Sequence, residues 1–76
     1  MTSIFEPQTF GEILQNYRKQ HHMTQQVLAE KLGVRMNTLK NWEDGTSDPS
    51  VKSMIKIADE MHVPLVQIYK LIKTTS

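Results

Sequence analysis

The sequence contains no cysteine, few glycines and prolines, and no long apolar run. The absence of cysteine excludes a disulfide-stapled scaffold and a thiolate-bound metal, and it fits a reducing cytosol. No apolar stretch reaches the length of a membrane span, and no cleavable signal pattern stands near the start. We therefore expect a cytoplasmic protein with no membrane partner.

Charge of one sign is also scarce, because nine basic and eight acidic residues leave a net charge of +1. This is far from the strongly basic balance that is typical of nucleic-acid-binding domains. The charges are nevertheless unevenly distributed along the chain. Five basic residues precede position 41, and Glu43, Asp44 and Asp48 then follow close together. A local basic face on a nearly neutral protein is therefore expected.

Apolar spacing predicts the domain organisation. The 76 residues suffice for one domain, and helical periodicity recurs in five segments with no strand pattern between them. Residues 9–72 are predicted to form this all-α domain, and Thr9 with Glu12 makes a capping box at its start. Residues 1–8 lack periodicity and include Pro7, which predicts a flexible N-terminal arm. Residues 73–76 are predicted to be a frayed tail.

Apolar stripes on the first, fourth and fifth helices outline the predicted core. The first helix, over residues 10–21, carries Phe10, Leu14 and Tyr17. The fourth, ending near His62, carries Val51, Met54, Ile55, Ala58 and Met61, with Ile57 flanking the stripe. The fifth, starting at Pro64, carries Leu65, Ile68, Tyr69 and Ile72. Leu65, Tyr69 and Ile72, together with Ile4 and Phe5 of the arm, either meet a second copy or complete a monomer core.

The stretch TQQVLAEKLGVRMNTLKNWEDG, residues 24–45, is the most informative part of the chain. It predicts two short helices separated by Gly33, a residue that adopts the left-handed conformation of a tight turn without steric penalty. The apolar face of the first helix is Val27, Leu28, Ala29 and Leu32. Thr24 is predicted to cap the first helix and Gly45 to end the second. In the second helix, Leu39 and Trp42 are predicted to face inward. The opposite face carries Met36, Asn37, Lys40 and Asn41. This arrangement predicts a helix-turn-helix, and the DNA major groove admits an α-helix.

Several side chains in this stretch have the chemistry of DNA recognition. The Arg35 guanidinium matches the guanine edge, and the Asn37 amide matches the adenine edge. The side chains with phosphate-binding chemistry are Gln25, Thr38, Lys40, Asn41, Thr46 and Ser47. The alternative for each is an ordinary solvated helix face. His21 and His22 have no further ligand at metal spacing, so no metal site or other cofactor is expected.

The run from FGEIL through YRKQ, TQQVLAEKLGV and NTLKNWEDG to KIADEMHVPLVQI covers nearly all of residues 9–72. This run resembles the Cro and lambda-repressor-type helix-turn-helix family, also called the XRE family. The resemblance implies a five-helix repressor-type DNA-binding domain, with the helix-turn-helix at helices 2 and 3. It also implies that the third helix lies in the major groove of double-stranded DNA, on a near-palindromic operator bound by a homodimer.

The resemblance also assigns roles to individual residues. Positions that read bases in the family are occupied by Arg35, Met36, Asn37 and Asn41, the last of which could also contact phosphate. Gln25 falls where relatives hold the phosphate backbone. Arg18 and Glu43 match a salt bridge that joins the first helix to the third.

Three features depart from the family pattern. Arg35 stands where a small hydroxyl residue usually caps the third helix, which removes a cap worth about 1 kcal/mol. Met36 is unusual as a base reader, and it either packs on a thymine methyl or shields apolar surface. Asp44 and Asp48 stand where basic residues would hold phosphate better.

These observations favour a sequence-specific DNA-binding transcriptional regulator, a small repressor associated with the nucleoid. The alternative is an antitoxin or accessory module that acts mainly by binding a protein partner, which the low net charge favours slightly. An enzyme is not expected, because the sequence offers no cysteine, no glycine-rich phosphate loop and no paired acids in an evident cleft.

Overall fold

The computed structural model describes residues 9–75 of the chain. Five α-helices follow one another in this part, and no strand occurs within it. They are α1 (Phe10–Gln20), α2 (Gln25–Leu32), α3 (Met36–Asp44), α4 (Val51–Met61) and α5 (Leu65–Thr75). The predicted all-α, five-helix fold is confirmed. None of these helices combines the length and apolarity needed to cross a bilayer.

Short polar side chains start three of the helices. Thr9 Oγ1 accepts a hydrogen bond from the Glu12 backbone N–H at 3.1 Å, and the Thr9 N–H donates to Glu12 Oε1 at 2.9 Å. This reciprocal pair is the capping box that the sequence predicts. Thr24 caps α2 through the Val27 N–H at 3.1 Å, and Ser50 caps α4 in the same way. These caps satisfy N–H groups that have no partner within their own helix.

Left-handed residues end α2, α3 and α4. Gly33 and Gly45 have φ values of 71° and 81°, which glycine adopts without penalty. His62 adopts the same region with φ 58°, and His22 does so just after α1 with φ 56°. Neither turn has a glycine. A histidine therefore adopts a left-handed conformation, which is strained for any residue that has a Cβ atom.

The core is one contiguous cluster to which all five helices contribute. Its fully buried side chains are Leu14, Leu28, Leu32, Leu39, Ile57 and Ile68. Trp42 is 4% exposed, so its predicted inward position is confirmed. Around this cluster lie partly buried side chains that include Tyr17, Met23 and Val34.

The predicted apolar faces of three helices, α2, α4 and α5, were wrong in part. On α4, Val51 is 60% exposed and Ile55 is 51% exposed, whereas the flanking Ile57 is fully buried. Because α4 packs against α2 and α5, only the arc containing Met54, Ile57 and Ala58 is covered. The exposed predicted-core residues on the other helices are Val27, Leu65 and Tyr69. Ile72, which the sequence offered as a residue for contact with a second copy, is 4% exposed and belongs to the core.

Two predicted boundaries also differ from the structure. The first helix ends at Gln20, one residue before the predicted end at His21. The last helix continues to Thr75, so residues 73–75, which the sequence assigned to a frayed tail, belong to α5. Side chains of residues 1–8, including Ile4 and Phe5 of the predicted arm, lie outside the described residues.

Candidate nucleic-acid interface

The start of α3 projects from the domain surface. Arg35, Met36, Asn37 and Lys40 are exposed, and Leu39 and Trp42 are buried behind them. Asn41 and Thr38 are half-buried at the edges of the exposed face. The predicted orientation of this helix is therefore confirmed. Whether its outer face touches DNA stays a prediction.

The polar groups on this face are not engaged within the described part of the chain. No hydrogen bond or ion pair there occupies the side chains of Arg35, Asn37 or Lys40. Arg35 is the N-cap residue of α3 with extended backbone, and its side chain makes no capping hydrogen bond. The side-chain cap is therefore absent, as the sequence predicts, and the Arg35 guanidinium is free at the N-terminal end of α3.

A buried carboxylate holds α3 against α1. Arg18 Nε donates to Glu43 Oε2 at 2.9 Å, and Arg18 Nη2 donates to Glu43 Oε1 at 3.1 Å. The Glu43 side chain is 1% exposed, and that of Arg18 is 15% exposed. The predicted salt bridge is present, and its two-point geometry fixes both the distance and the orientation of the partners. Arg18 Nη1 also donates to the Met23 carbonyl at 3.2 Å, which ties the turn before α2 to the same group.

Gln25 joins this buried group. Its Nε2 donates to Glu43 Oε1 at 3.0 Å, so the amide of the first α2 residue is directed toward α3. An amide nitrogen has two protons, and the second is available to another acceptor. Gln25 is half-buried, at the positive end of α2. Its predicted phosphate contact is compatible with this position and stays a prediction.

One predicted hydroxyl in the loop after α3, that of the exposed Thr46, is engaged in a hydrogen bond within the chain. Thr46 Oγ1 donates to the Asn41 carbonyl at 3.2 Å, and the Thr46 backbone N–H donates to the same oxygen at 3.0 Å. A phosphate contact from Thr46 would have to replace the hydroxyl bond. Ser47 is exposed beside it, and Asp44 and Asp48 are exposed on the same loop.

Sequence reasoning missed one member of this group. Gln15 Nε2 donates to the Glu43 backbone carbonyl at 3.2 Å. Gln15 precedes Arg18 by three positions, so the helical period puts both on one face of α1. That spacing was the available signal. The spacing alone could not identify Gln15, because the sequence does not show that the end of α3 lies against this face of α1.

The histidines of the described residues do not belong to a metal site. No group of three His, Cys, Asp or Glu side chains in residues 9–75 is placed to hold a metal ion. The His21 ring lies against the Tyr17 ring, with centroids 4.3 Å apart. Tyr17 in turn donates its hydroxyl to the Glu60 carboxylate at 3.0 Å, which links α1 to the end of α4.

Comparison with known proteins places this geometry in context. Residues 14–68 match the helix-turn-helix family model. An uncharacterized HTH-type transcriptional regulator of Methanocaldococcus jannaschii, MJ0272, is 43% identical over 56 residues, which are 74% of this chain and 85% of that protein. The transcriptional repressor RstR of the cryptic phage CTXphi, from Vibrio cholerae, is 30% identical over 75% of this chain and 51% of its own length. The chain therefore spans about half the length of this second relative.

A solved structure shares the fold. It is the crystal structure of the P22 c2 repressor protein in complex with a synthetic operator, and it matches with a TM-score of 0.74 at 19% sequence identity. The match covers 82% of this chain and 94% of that one. At this identity the likeness concerns the arrangement of the helices.

Proposed function

Because the chain belongs to the helix-turn-helix family of the Cro and lambda-repressor type, we propose that it is a transcriptional regulator, a small repressor that binds double-stranded DNA sequence-specifically. The observation that carries this proposal is the exposed, unpaired outer face of α3, with Leu39 and Trp42 buried behind it. In this proposal α3 lies in the major groove, which admits a helix of this width. The protein acts in the cytoplasm, at the nucleoid.

Base reading falls to the start of α3. Arg35 donates two hydrogen bonds to guanine, and Asn37 pairs with adenine through its amide. Met36, which is exposed, packs on a thymine methyl, and Asn41 contacts a base or a phosphate one turn further along. Each good pairing is expected to provide about 1–3 kcal/mol of discrimination against the wrong base.

Phosphate contacts fix the domain on the duplex. Lys40, which is exposed, provides a positive charge, and Gln25 is held in place by Glu43. The hydroxyls of Thr38, Thr46 and Ser47 complete the proposed set. Thr46 contributes only after its bond to the Asn41 carbonyl is exchanged. Because Asp44 and Asp48 repel phosphate, the affinity for DNA of random sequence is expected to be low.

A homodimer on a near-palindromic operator is the proposed form. Large apolar side chains remain exposed on α4 and α5, namely Val51, Ile55, Leu65, Val66 and Tyr69. Two copies that cover such residues around a twofold axis present two α3 helices to successive major grooves. The geometry of the dimer interface then determines the spacing between the two half-sites of the operator.

Selection of bound fragments from a random DNA pool tests the proposal. We expect one enriched, roughly twofold-symmetric sequence, and an affinity that falls steeply with added salt because counterions are released from several phosphates. A domain that acts mainly as an antitoxin-like protein binder would retain little DNA even at low salt. Absence of any enriched sequence at low salt would overturn the regulator proposal.

A further inference from the structure

Gly11 lies in the first turn of α1, where its backbone approaches the last turn of α3. A Cβ atom at this position would stand 2.8 Å from the Trp42 carbonyl oxygen, and it would stand even closer to the Glu43 carbonyl oxygen. Both obstacles are backbone atoms of a helix, which cannot swing aside as a flexible side chain can. The φ of Gly11 is not in the left-handed region. Glycine is therefore needed here for space and not for conformation.

Two further residues continue this contact along α1. Gln15 donates to the Glu43 backbone carbonyl at 3.2 Å, and Arg18 binds the Glu43 carboxylate at 2.9 Å. Positions 11, 15 and 18 follow the helical period, so they form one stripe on α1. This stripe contacts the end of α3 at three points. Gly11 has no side chain and lets the backbones approach, Gln15 contributes an amide, and Arg18 contributes a guanidinium.

The last carbonyls of α3 show what the stripe provides. The final carbonyls of a helix lack partners within it. Here the Gly45 and Thr46 N–H groups donate to the Asn41 carbonyl, and the Gly45 N–H also reaches the Trp42 carbonyl. The Glu43 carbonyl is satisfied by Gln15 of α1. The end of α3 is thus held by another helix, at a distance set by Gly11.

We propose that Gly11 and Gln15 are positioning residues for base recognition. This inference rests on the proposed function, because it concerns the helix proposed to enter the major groove. Gly11 fixes how closely α1 and α3 approach, and Gln15 fixes the end of α3 along that contact. A recognition surface has to be held to about 0.5 Å to keep its hydrogen bonds. Restoring an ordinary contact between a Cβ at position 11 and the Trp42 carbonyl requires a shift of at least that size.

Gly11→Ala in the full chain is the direct test, with Asn16→Ala as the matched control on an exposed position of α1. We expect Gly11→Ala to keep its helical circular dichroism but to shift the fluorescence of Trp42, the one tryptophan of the chain. Its affinity for the selected operator should fall by about tenfold or more, while its affinity for a random duplex at low salt changes by less than about twofold. Asn16→Ala should change none of these. A loss of stability alone would lower both affinities together, so an unchanged ratio of the two would overturn the inference.

Gln15→Ala provides a second variant in case Gly11→Ala does not fold. It removes the amide without adding volume, and we expect an operator affinity reduced by about threefold to tenfold with random-duplex affinity kept. An unchanged ratio of the two affinities in this variant would count against the proposal.

One measurement needs no DNA and separates this inference from the proposed function. Residual dipolar couplings of backbone amides report the angle between α1 and α3 in solution. We expect that angle to differ between the wild type and Gly11→Ala, or Gln15→Ala if the first is unfolded. An unchanged angle would overturn the inference even if the wild type binds its operator. A changed angle in a protein that binds no DNA would instead contradict the proposed function.

Discussion

The Arg18 guanidinium meets the Glu43 carboxylate at two points, 2.9 and 3.1 Å, with the carboxylate almost wholly withdrawn from water. Removing one member leaves a buried charge without its partner, which is costly. We predict that Arg18→Met lowers the free energy of unfolding by about 3 kcal/mol. Urea denaturation measures this, and Lys19→Met on the exposed neighbouring position should cost under about 0.5 kcal/mol. Equal, small losses in both variants would show that the pair does not hold α3.

Substitutions at the left-handed C-caps of α3 and α4, Gly45 and His62, are predicted to change stability in opposite directions. Gly45 has φ 81° with no atom near a prospective Cβ, so Gly45→Ala introduces backbone strain alone. We expect it to cost about 1–2 kcal/mol. His62 already carries that strain at φ 58°, so His62→Gly should be stabilising, by up to about 1 kcal/mol. Thermal denaturation of the two variants measures the signs, and the same sign in both would refute the explanation.

Tyr17 predicts a stability change at alkaline pH. Burial, and then its hydrogen bond to Glu60, raises the pKa of the Tyr17 phenol above its ordinary value of 10.0. The folded state therefore favours the protonated phenol. This contribution is fully present below the unfolded pKa and is lost as pH rises through the higher folded pKa.

Tyr17→Phe tests this contribution. The variant should be less stable than the wild type by about 1 kcal/mol near neutral pH, because it loses the Glu60 bond. The difference should shrink above about pH 10, as the wild type loses its bonded proton. Unfolding by urea at several pH values measures it, with Tyr69→Phe as the control on an exposed ring. A difference that stays constant through the alkaline range would rule out this role of the phenol.

The exposed apolar side chains predict an oligomer. Val66 is among the most exposed large apolar residues of α5, so Val66→Lys should leave the folded domain intact and raise the dimer dissociation constant by about tenfold or more. Sedimentation velocity over a concentration series measures it. Gln67→Lys, at the neighbouring exposed position, provides the charge-matched control. A wild type that stays monomeric at every concentration would contradict the dimer.

What the sequence could predict depends on whether a feature is local. Thr9 with Glu12, Thr24, and the glycines at 33 and 45 act within a few residues, and each cap or turn lies where its residue type predicts. The outward face of α3 followed from the spacing of Leu39 and Trp42. These local features were enough to locate the candidate site.

Features that depend on distant packing could not be predicted in the same way. On α4, a stripe through Val51 and Ile55 fits the helical period as well as the arc through Met54 and Ile57 that is buried. Only the positions of α2 and α5 decide between them. The place of Gly11 against the Trp42 carbonyl likewise depends on the distance between two helices far apart in the chain.

The central claim is that the outer face of α3 reads bases, and two variants of neighbouring exposed residues test it most directly. Selection of bound DNA fragments would be repeated with Asn37→Ala and with Lys40→Ala. We predict that Asn37→Ala loses base preference at one position per half-site, a discrimination of about 1–3 kcal/mol, while Lys40→Ala keeps the motif and binds all sequences more weakly. An unchanged motif with Asn37→Ala, at wild-type affinity, would contradict the claim.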